Sequence, residues 1–211
     1  MKHKKTYHSM NIEAKDGKNF LVEGPVSKDL LEKCEFDEGL VAFRKPAQQQ
    51  KALIQVLDLP ESRIIVARDG DLIVGYATYL YPDPLERWSE VNLDNLIELG
   101  AIEVSQRYRG YQLAKNILKV SMMDEAVEDY IIITTEYYWH WDLRGTGLSI
   151  WQYRDIMEKV MKTGGLEWYA TDDPEITSHP ANCLMARIGK RVKPDAIHEF
   201  DRVRFKHKYM I

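Results

Sequence analysis

Hydrophobic positions along this chain switch repeatedly between short β-branched runs and a spacing near 3.6, the mark of alternating strands and helices. The first readable run, Phe20-Leu21-Val22, is bounded by Lys18-Asn19 and Glu23-Gly24-Pro25 and predicts a strand over Lys18–Pro25. Ser27 then caps a short helix ending at Cys34. From Ala47 to Leu57, the residues Ala52, Leu53, Val56 and Leu57 recur at helical spacing, and Pro60 stops the pattern. Arg63–Arg68 and Leu72–Leu80 are β-runs around Asp69-Gly70-Asp71, which predicts an antiparallel hairpin.

Pro82 and Pro84 close the hairpin, and Leu96–Val104 resumes as a strand with Gly100 inside it, where glycine marks a bulge or a close backbone approach. After the polar loop Arg107–Gly110, the spacing of Leu113, Ile117, Leu118, Val120 and Met122 predicts a helix reaching Val127, and Tyr130–Thr135 is again a β-run. Strand, loop, helix, strand is a βαβ-type unit, so these two strands are expected to be parallel. Ile150, Trp151, Ile156, Met157 and Val160 place a helix over Leu148–Met161, ended by Gly164-Gly165. The rest predicts a strand over Leu166–Thr171, a short helix over Pro180–Ile188 closed by Gly189, and a closing strand over Phe200–Met210. No repeat or low-complexity linker divides the 211 residues, so one mixed α/β domain over 1–211 is expected.

Composition narrows the function classes. With 45% apolar and 29% charged residues the chain builds a core and is not disordered. A net charge of −4, from 29 basic and 33 acidic residues, gives no electrostatic reason to expect nucleic acid. No apolar stretch approaches the roughly 20 residues that span a bilayer, and the basic start Met1-Lys2-His3-Lys4-Lys5 leads into no apolar signal region. A cytoplasmic protein with no membrane partner is expected. Cys34 and Cys183 form no CxxC pattern, so neither a disulfide framework nor a metal site is expected, and both read as buried small apolar residues.

Chemistry concentrates in Glu103-Val104-Ser105-Gln106-Arg107-Tyr108-Arg109-Gly110-Tyr111-Gln112-Leu113-Ala114-Lys115, which joins a strand to a helix. Such a junction is either an ordinary turn or a place where unpaired N–H groups at the positive end of a helix dipole receive a phosphate or pyrophosphate. Arg107, Arg109 and Lys115 add positive charge. The loop is not G-x-G-x-x-G, and no G-x-x-x-x-G-K-[ST] occurs, which removes the Rossmann and Walker readings. No G-x-S-x-G occurs either, and His140, His179 and His198 have no readable triad partners.

The run Arg107-Tyr108-Arg109-Gly110-Tyr111-Gln112 resembles motif A of the GNAT superfamily of N-acetyltransferases, [RQ]-x-x-G-x-[GA]. The resemblance implies an α/β GNAT acetyltransferase fold: a mixed, mostly antiparallel sheet splayed at a central parallel pair and flanked by helices. It also implies acetyl-CoA as acetyl donor, held by Ile102, Val104, Arg107, Arg109, Gly110, Tyr111, Gln112, Leu113, Ala114, Lys115 and Asn182. Gln112 departs from the family's glycine or alanine, and a side chain is tolerated there if the backbone keeps ordinary helical angles. Counted back from Gly189 along the expected short helix, Met185 stands where many members carry the tyrosine that protonates the departing thiolate.

Longer blocks, Leu99–Val104, Tyr130–Leu143, Ala170–Glu175 and Ser178–Met185, resemble the acetoin-utilisation acetyltransferases of Bacillus-type bacteria across nearly the whole chain. That resemblance implies acetylation of a lysine of acetyl-CoA synthetase, which inactivates the synthetase. A non-catalytic acyl-CoA-binding module and a small-amine acetyltransferase are the alternatives. A lysine with an ordinary pKa of about 10.4 needs a base. Glu98 lies at the family's usual distance before the loop. Glu103 is its rival, on the opposite face of an ideal strand unless a bulge near Gly100 redirects it. Tyr137-Tyr138-Trp139-His140-Trp141-Asp142 is either a packed wall or a protein-substrate surface; one His and one Asp fall short of a metal set.

Overall fold

The first strand is one the hydrophobic pattern does not announce. β1 (His8–Glu13) alternates half-buried and exposed side chains around Met10 and Ile12 and pairs antiparallel with β2 (Asn19–Gly24), from His8↔Gly24 to Glu13↔Asn19. In a computed structural model that describes residues 4–206, both strands belong to the first of two compact bodies. That body comprises the described residues up to Leu80 together with Leu99–Ala126.

As expected, Ser27 caps α1 (Lys28–Lys33), its hydroxyl accepting the Leu30 N–H at 3.3 Å. β3 (Glu35–Phe36), α2 (Pro46–Val56), β4 (Arg63–Asp69) and β5 (Leu72–Leu80) follow. β4 and β5 form the expected hairpin, with a register shift at Ala67/Arg68; β2 joins β4 antiparallel and β3 joins β5 in parallel. Leu31, Leu53, Ile64, Val66, Ile73 and Tyr76 fill the core between this sheet and its helices. β6 (Leu96–Val104) enters the first body at Leu99 and lies beside β5.

α3 (Leu113–Ser121) packs across β2, β4 and β5, burying Leu113, Ile117, Leu118 and Val120. It stops short of the expected Val127. The Ser121 hydroxyl turns back onto the Ile117 carbonyl at 2.8 Å, Met122 N–H is shared by the Leu118 and Lys119 carbonyls, and the Asp124 carboxylate accepts the Ala126 N–H at 3.0 Å. These local bonds replace the next helical turn with a 3-10 segment over Glu125–Asp129.

The second body comprises Tyr81–Glu98 and the described residues from Val127 onward. In it, β6 pairs in parallel with β7 (Ile131–Glu136), from Leu96↔Ile131 to Glu98↔Ile133, as the βαβ pattern predicts. α4 (Leu143–Thr146) and α5 (Ile150–Lys162) come next, the latter opened by a capping box between Ser149 and Gln152. β8 (Glu167–Tyr169), α6 (Pro174–Thr177), β9 (Cys183–Ile188) and α7 (Pro194–Arg204) complete the chain's described elements. The strand order is β6-β7-β9-β8, with both β9 pairings antiparallel. Leu96, Ile131, Ile133, Leu184 and Phe200 belong to its core.

Two elements reverse the sequence-based expectation. Pro180–Ile188 is not a helix, because Cys183–Ile188 is the strand between β7 and β8. Cys183, Leu184, Met185 and Ala186 are all buried. A strand buried on both faces shows an unbroken apolar run, which a short buried helix shows equally. Gly189 therefore closes no helix. It passes against the chain at Glu128, where a Cβ would fall 2.3 Å from the Glu128 carbonyl oxygen. Phe200–Met210 is likewise no closing strand: α7 runs through Arg204, with Pro194 in its first turn and Phe200 and Val203 turned into the core at helical spacing. Residues 207–210 lie outside the described residues. Both cysteines are buried as expected, Cys34 in the first body and Cys183 in the second.

Candidate active site

The strand-to-helix junction lies wholly in the first body. After β6 the chain makes a 3-10 turn at Gln106–Tyr108, passes Gly110 at φ +95°, and enters α3 through Gln112 at φ +58°, ψ +24°. Gln112 thus adopts the left-handed conformation, not the ordinary helical angles under which its side chain was expected to be tolerated. Its Cβ carries a strain that glycine would not. Gln112 makes no side-chain cap, and the Asn116 N–H is the first to find a carbonyl of the helix start, that of Gln112, at 3.1 Å. The N–H groups of Leu113, Ala114 and Lys115 consequently have no intrahelical acceptor, and they stand at the positive end of the helix dipole.

Arg107 is fixed by its own counter-charge: Nη2 lies 2.9 Å from Asp37 Oδ2. Asp37 also accepts the Ser105 hydroxyl at 2.6 Å and the Gly39 N–H at 2.8 Å. Burial alone would raise the Asp37 carboxyl, but these donors outweigh it and hold the group below the ordinary carboxylate range. The Arg109 side chain is exposed, while its backbone N–H donates to the Gln106 carbonyl at 3.3 Å. The Tyr111 hydroxyl donates to Asp16 at 2.6 Å and its ring packs 4.9 Å from Phe20, which anchors the loop on the β1–β2 hairpin. Ile102, Val104, Ala114 and Lys115 are half-buried, and Leu113 is buried.

The two carboxylates proposed as base have different surroundings. Glu103, in the first body, is buried with both oxygens engaged: Oε1 accepts the Ala42 N–H and Oε2 accepts the Tyr76 hydroxyl, each at 2.7 Å. Glu98, in the second body, is half-buried, and the Thr135 hydroxyl donates to its Oε1 at 3.4 Å. Desolvation, reinforced by the negative charge of Glu86 and opposed by the Thr135 bond, pushes the Glu98 carboxyl up to about 7. Asn182 also lies in the second body, with Oδ1 accepting the Tyr138 N–H at 3.0 Å and Nδ2 donating to the Glu175 carbonyl at 3.2 Å. Its side chain ties the segment after β7 to α6.

The aromatic block divides its labour. Trp141 is buried, stacks 5.2 Å from Tyr153 and donates from Nε1 to Glu136 Oε2 at 3.1 Å. Trp139 stacks 4.9 Å from Tyr137 and stays 46% exposed, so the block is part wall and part surface. Met185, where the resemblance implied a position for the acid, is buried in β9 opposite Thr134 and Trp168; with no helix there, that alignment fails. Sequence reasoning missed Asp37, Thr135 and Glu136. Burial pushes the Glu136 carboxyl up to about 7 against the opposing bond from Trp141. The available signal was position, since a carboxylate at the carboxyl end of a parallel β-run sits where α/β sheets place their ligands. Among the described residues no cluster of metal-ligating side chains occurs, and no helix is long and apolar enough to cross a membrane.

No protein-family model matches the chain. The acetoin utilization protein AcuA of Bacillus subtilis is 62% identical over 210 residues, covering 100% of both sequences. The crystal structure of an acetoin utilization protein from Exiguobacterium sibiricum superposes with a TM-score of 0.95 at 54% identity, over 99% of this chain and 98% of that one. The ribosomal-protein-S5-alanine acetyltransferase of Vibrio fischeri shares the fold at a TM-score of 0.50 and 13% identity, over 88% of this chain and all of its own.

Proposed function

The chain belongs to the family of the acetoin utilization protein AcuA and has the GNAT acetyltransferase fold, and from that premise we propose that it is one acetyltransferase domain moving acetyl from acetyl-CoA to a lysine side chain of acetyl-CoA synthetase, thereby lowering the synthetase's activity. The observation that carries this reading is the start of α3, an uncapped helix N-terminus preceded by Arg107 and Arg109. The donors of Leu113, Ala114 and Lys115 receive the pyrophosphate. Arg107, already oriented by Asp37, and Arg109 supply charge. Gly110 lets the chain turn without a side chain over the phosphates, while Ile102 and Val104 on β6 line the pantetheine arm. Asn182 acts through the backbone it holds in place. The protein works in the cytoplasm without nucleic-acid or membrane partners.

Glu98 takes the proton of the acceptor lysine. Glu103 is buried and already accepts a hydrogen bond on each oxygen, which favours Glu98 over it as the base. An ordinary carboxylate is about six pH units less basic than a lysine amine, and a carboxyl near 7 narrows the gap to roughly three. The freed amine attacks the thioester carbonyl, the tetrahedral adduct expels the thiolate, and the proton that the adduct's nitrogen must still lose passes to that thiolate, so that an amide and coenzyme A result. Mass spectrometry of acetyl-CoA synthetase incubated with this protein and acetyl-CoA tests the reading. An acetyl-lysine peptide that disappears with Glu98→Gln is expected. Coenzyme A release with small amines and none with the synthetase would overturn the substrate, and tight acetyl-CoA binding with no transfer in a single turnover would overturn the enzyme.

A further inference from the structure

The second body holds a line of oxygen atoms that leads away from Glu98. Glu98 is the register partner of Ile133 in the parallel β6–β7 pair, and side chains two apart along β7 share a face. Thr135 therefore lies on the Glu98 side. Tyr137 does too, because the backbone stays extended at φ −120°, ψ 124° one residue beyond β7. The Thr135 hydroxyl reaches Glu98 Oε1 at 3.4 Å, and the Tyr137 side chain follows it two positions further along the same face. The Tyr137 hydroxyl reaches Glu175 Oε2 at 3.5 Å, and Glu175 is exposed at the start of α6.

Resting on the reading of Glu98 as base, we infer that Thr135 and Tyr137 form a proton-exit relay from Glu98 to the solvent-exposed Glu175. After Glu98 has accepted the lysine proton it donates that proton to Thr135 Oγ1. The original Thr135 hydroxyl proton passes to the Tyr137 oxygen, and the phenolic proton passes to Glu175. Each hydroxyl gains one proton and loses one, Glu98 returns to carboxylate, and Glu175 releases the proton to water. Thr135 has a single hydrogen, which serves both stages: it points to Glu98 while that group is ionised and to Tyr137 once Glu98 is protonated. Burial and the charge of Glu175 raise the Tyr137 phenol well above its ordinary value, so it stays neutral and hands the proton on without storing it.

The test compares Thr135→Val, Thr135→Ser, Tyr137→Phe and Glu98→Gln in steady-state acetylation of acetyl-CoA synthetase, with pH–rate profiles, solvent deuterium isotope effects and added imidazole. Thr135→Val and Tyr137→Phe should lower kcat roughly tenfold, less than the 10²–10⁴-fold of losing the base. KM for acetyl-CoA should not change. Imidazole should restore both relay variants and leave Glu98→Gln unrestored, and Thr135→Ser should keep parental kcat. Parental kcat and isotope effect in Thr135→Val and Tyr137→Phe, beside a dead Glu98→Gln, would overturn the relay and leave the base standing. A loss that neither imidazole nor serine repairs would make the two residues structural, which also overturns it. Parental turnover in Glu98→Gln would instead remove the base, and the relay with it.

Discussion

Replacing Gln112 by glycine should make the protein more stable, and the left-handed N-cap says by how much. An L-residue with a Cβ costs about 1–2 kcal/mol in this conformation, and Gln112 sits there at φ +58°. Glycine escapes that cost but returns about 0.4–1 kcal/mol through the greater freedom of the unfolded chain. The exposed Gln112 side chain caps nothing, so nothing else is lost. The balance is a gain of about 0–1.6 kcal/mol, and its midpoint near 0.8 kcal/mol raises Tm by roughly 2–3 °C for a chain of this size. Urea and thermal melts of Gln112→Gly measure it, with Gln112→Ala as the control that keeps the Cβ and should stay within about 0.5 kcal/mol of the parent. A loss of stability in Gln112→Gly, or an equal gain in Gln112→Ala, would refute the attribution to Cβ strain. Calorimetry with acetyl-CoA on the same variant asks separately whether the amide contacts the ligand.

Glu136→Gln should stabilise the protein in a pH-dependent way. The folded carboxyl is raised to about 7 from 4.5, so ionising it opposes folding, and its favourable contribution is lost as pH climbs through that window. At 1.36 kcal/mol per pH unit the gain reaches at most about 3 kcal/mol near pH 8 and shrinks toward zero below pH 5, and a pH-independent difference in urea melts would contradict it. Arg109→Ala should weaken acetyl-CoA binding by about 1.5–3 kcal/mol if a charge-assisted bond to phosphate is lost, and unchanged affinity in calorimetry would move the pyrophosphate elsewhere. Gly189→Ala pushes a Cβ to 2.3 Å from the Glu128 carbonyl oxygen, so a loss of at least about 1–3 kcal/mol is expected, and near-parental melts would mean that the two segments yield easily.

What could be read from the sequence depended on whether the signal was local. The Asp69-Gly70 hairpin, the Ser27 cap and the parallel β6–β7 pair carry their reasons within a few residues, in turn chemistry, capping and the order strand-helix-strand. β9 and α7 did not, because an apolar run buried on both faces has no period to read and a tail with few apolar residues gains its helix from packing Phe200 and Val203. The strand-to-helix loop after β6 was legible as a motif, yet the left-handed Gln112 was not, since nothing in six letters fixes a backbone angle. Glu98 was singled out as a candidate base by the distance before the loop that the family resemblance implies. Its Thr135 partner comes from 37 residues further along the chain and meets it only through strand register. For Glu103 the sequence did not show that Ala42 and Tyr76 would each donate to one of its oxygens.

The two buried cysteines make the protein its own opening clock. Burial, with the nearby Glu136 charge, pushes the Cys183 thiol up to about 12, so at pH 8 roughly one molecule in ten thousand carries the thiolate that a disulfide dye attacks. Burial raises the Cys34 thiol as well. A thiol dye added to the native protein therefore counts released coenzyme A against a dark background. Left for hours without substrate, it labels each cysteine only as fast as the surrounding structure opens. Since Cys34 belongs to one body and Cys183 to the other, digesting the labelled chain and reading the two peptides separately gives two unfolding rates from one tube. Equal rates would mean that the two bodies open as a single cooperative unit, and unequal rates would say which of them gives way first.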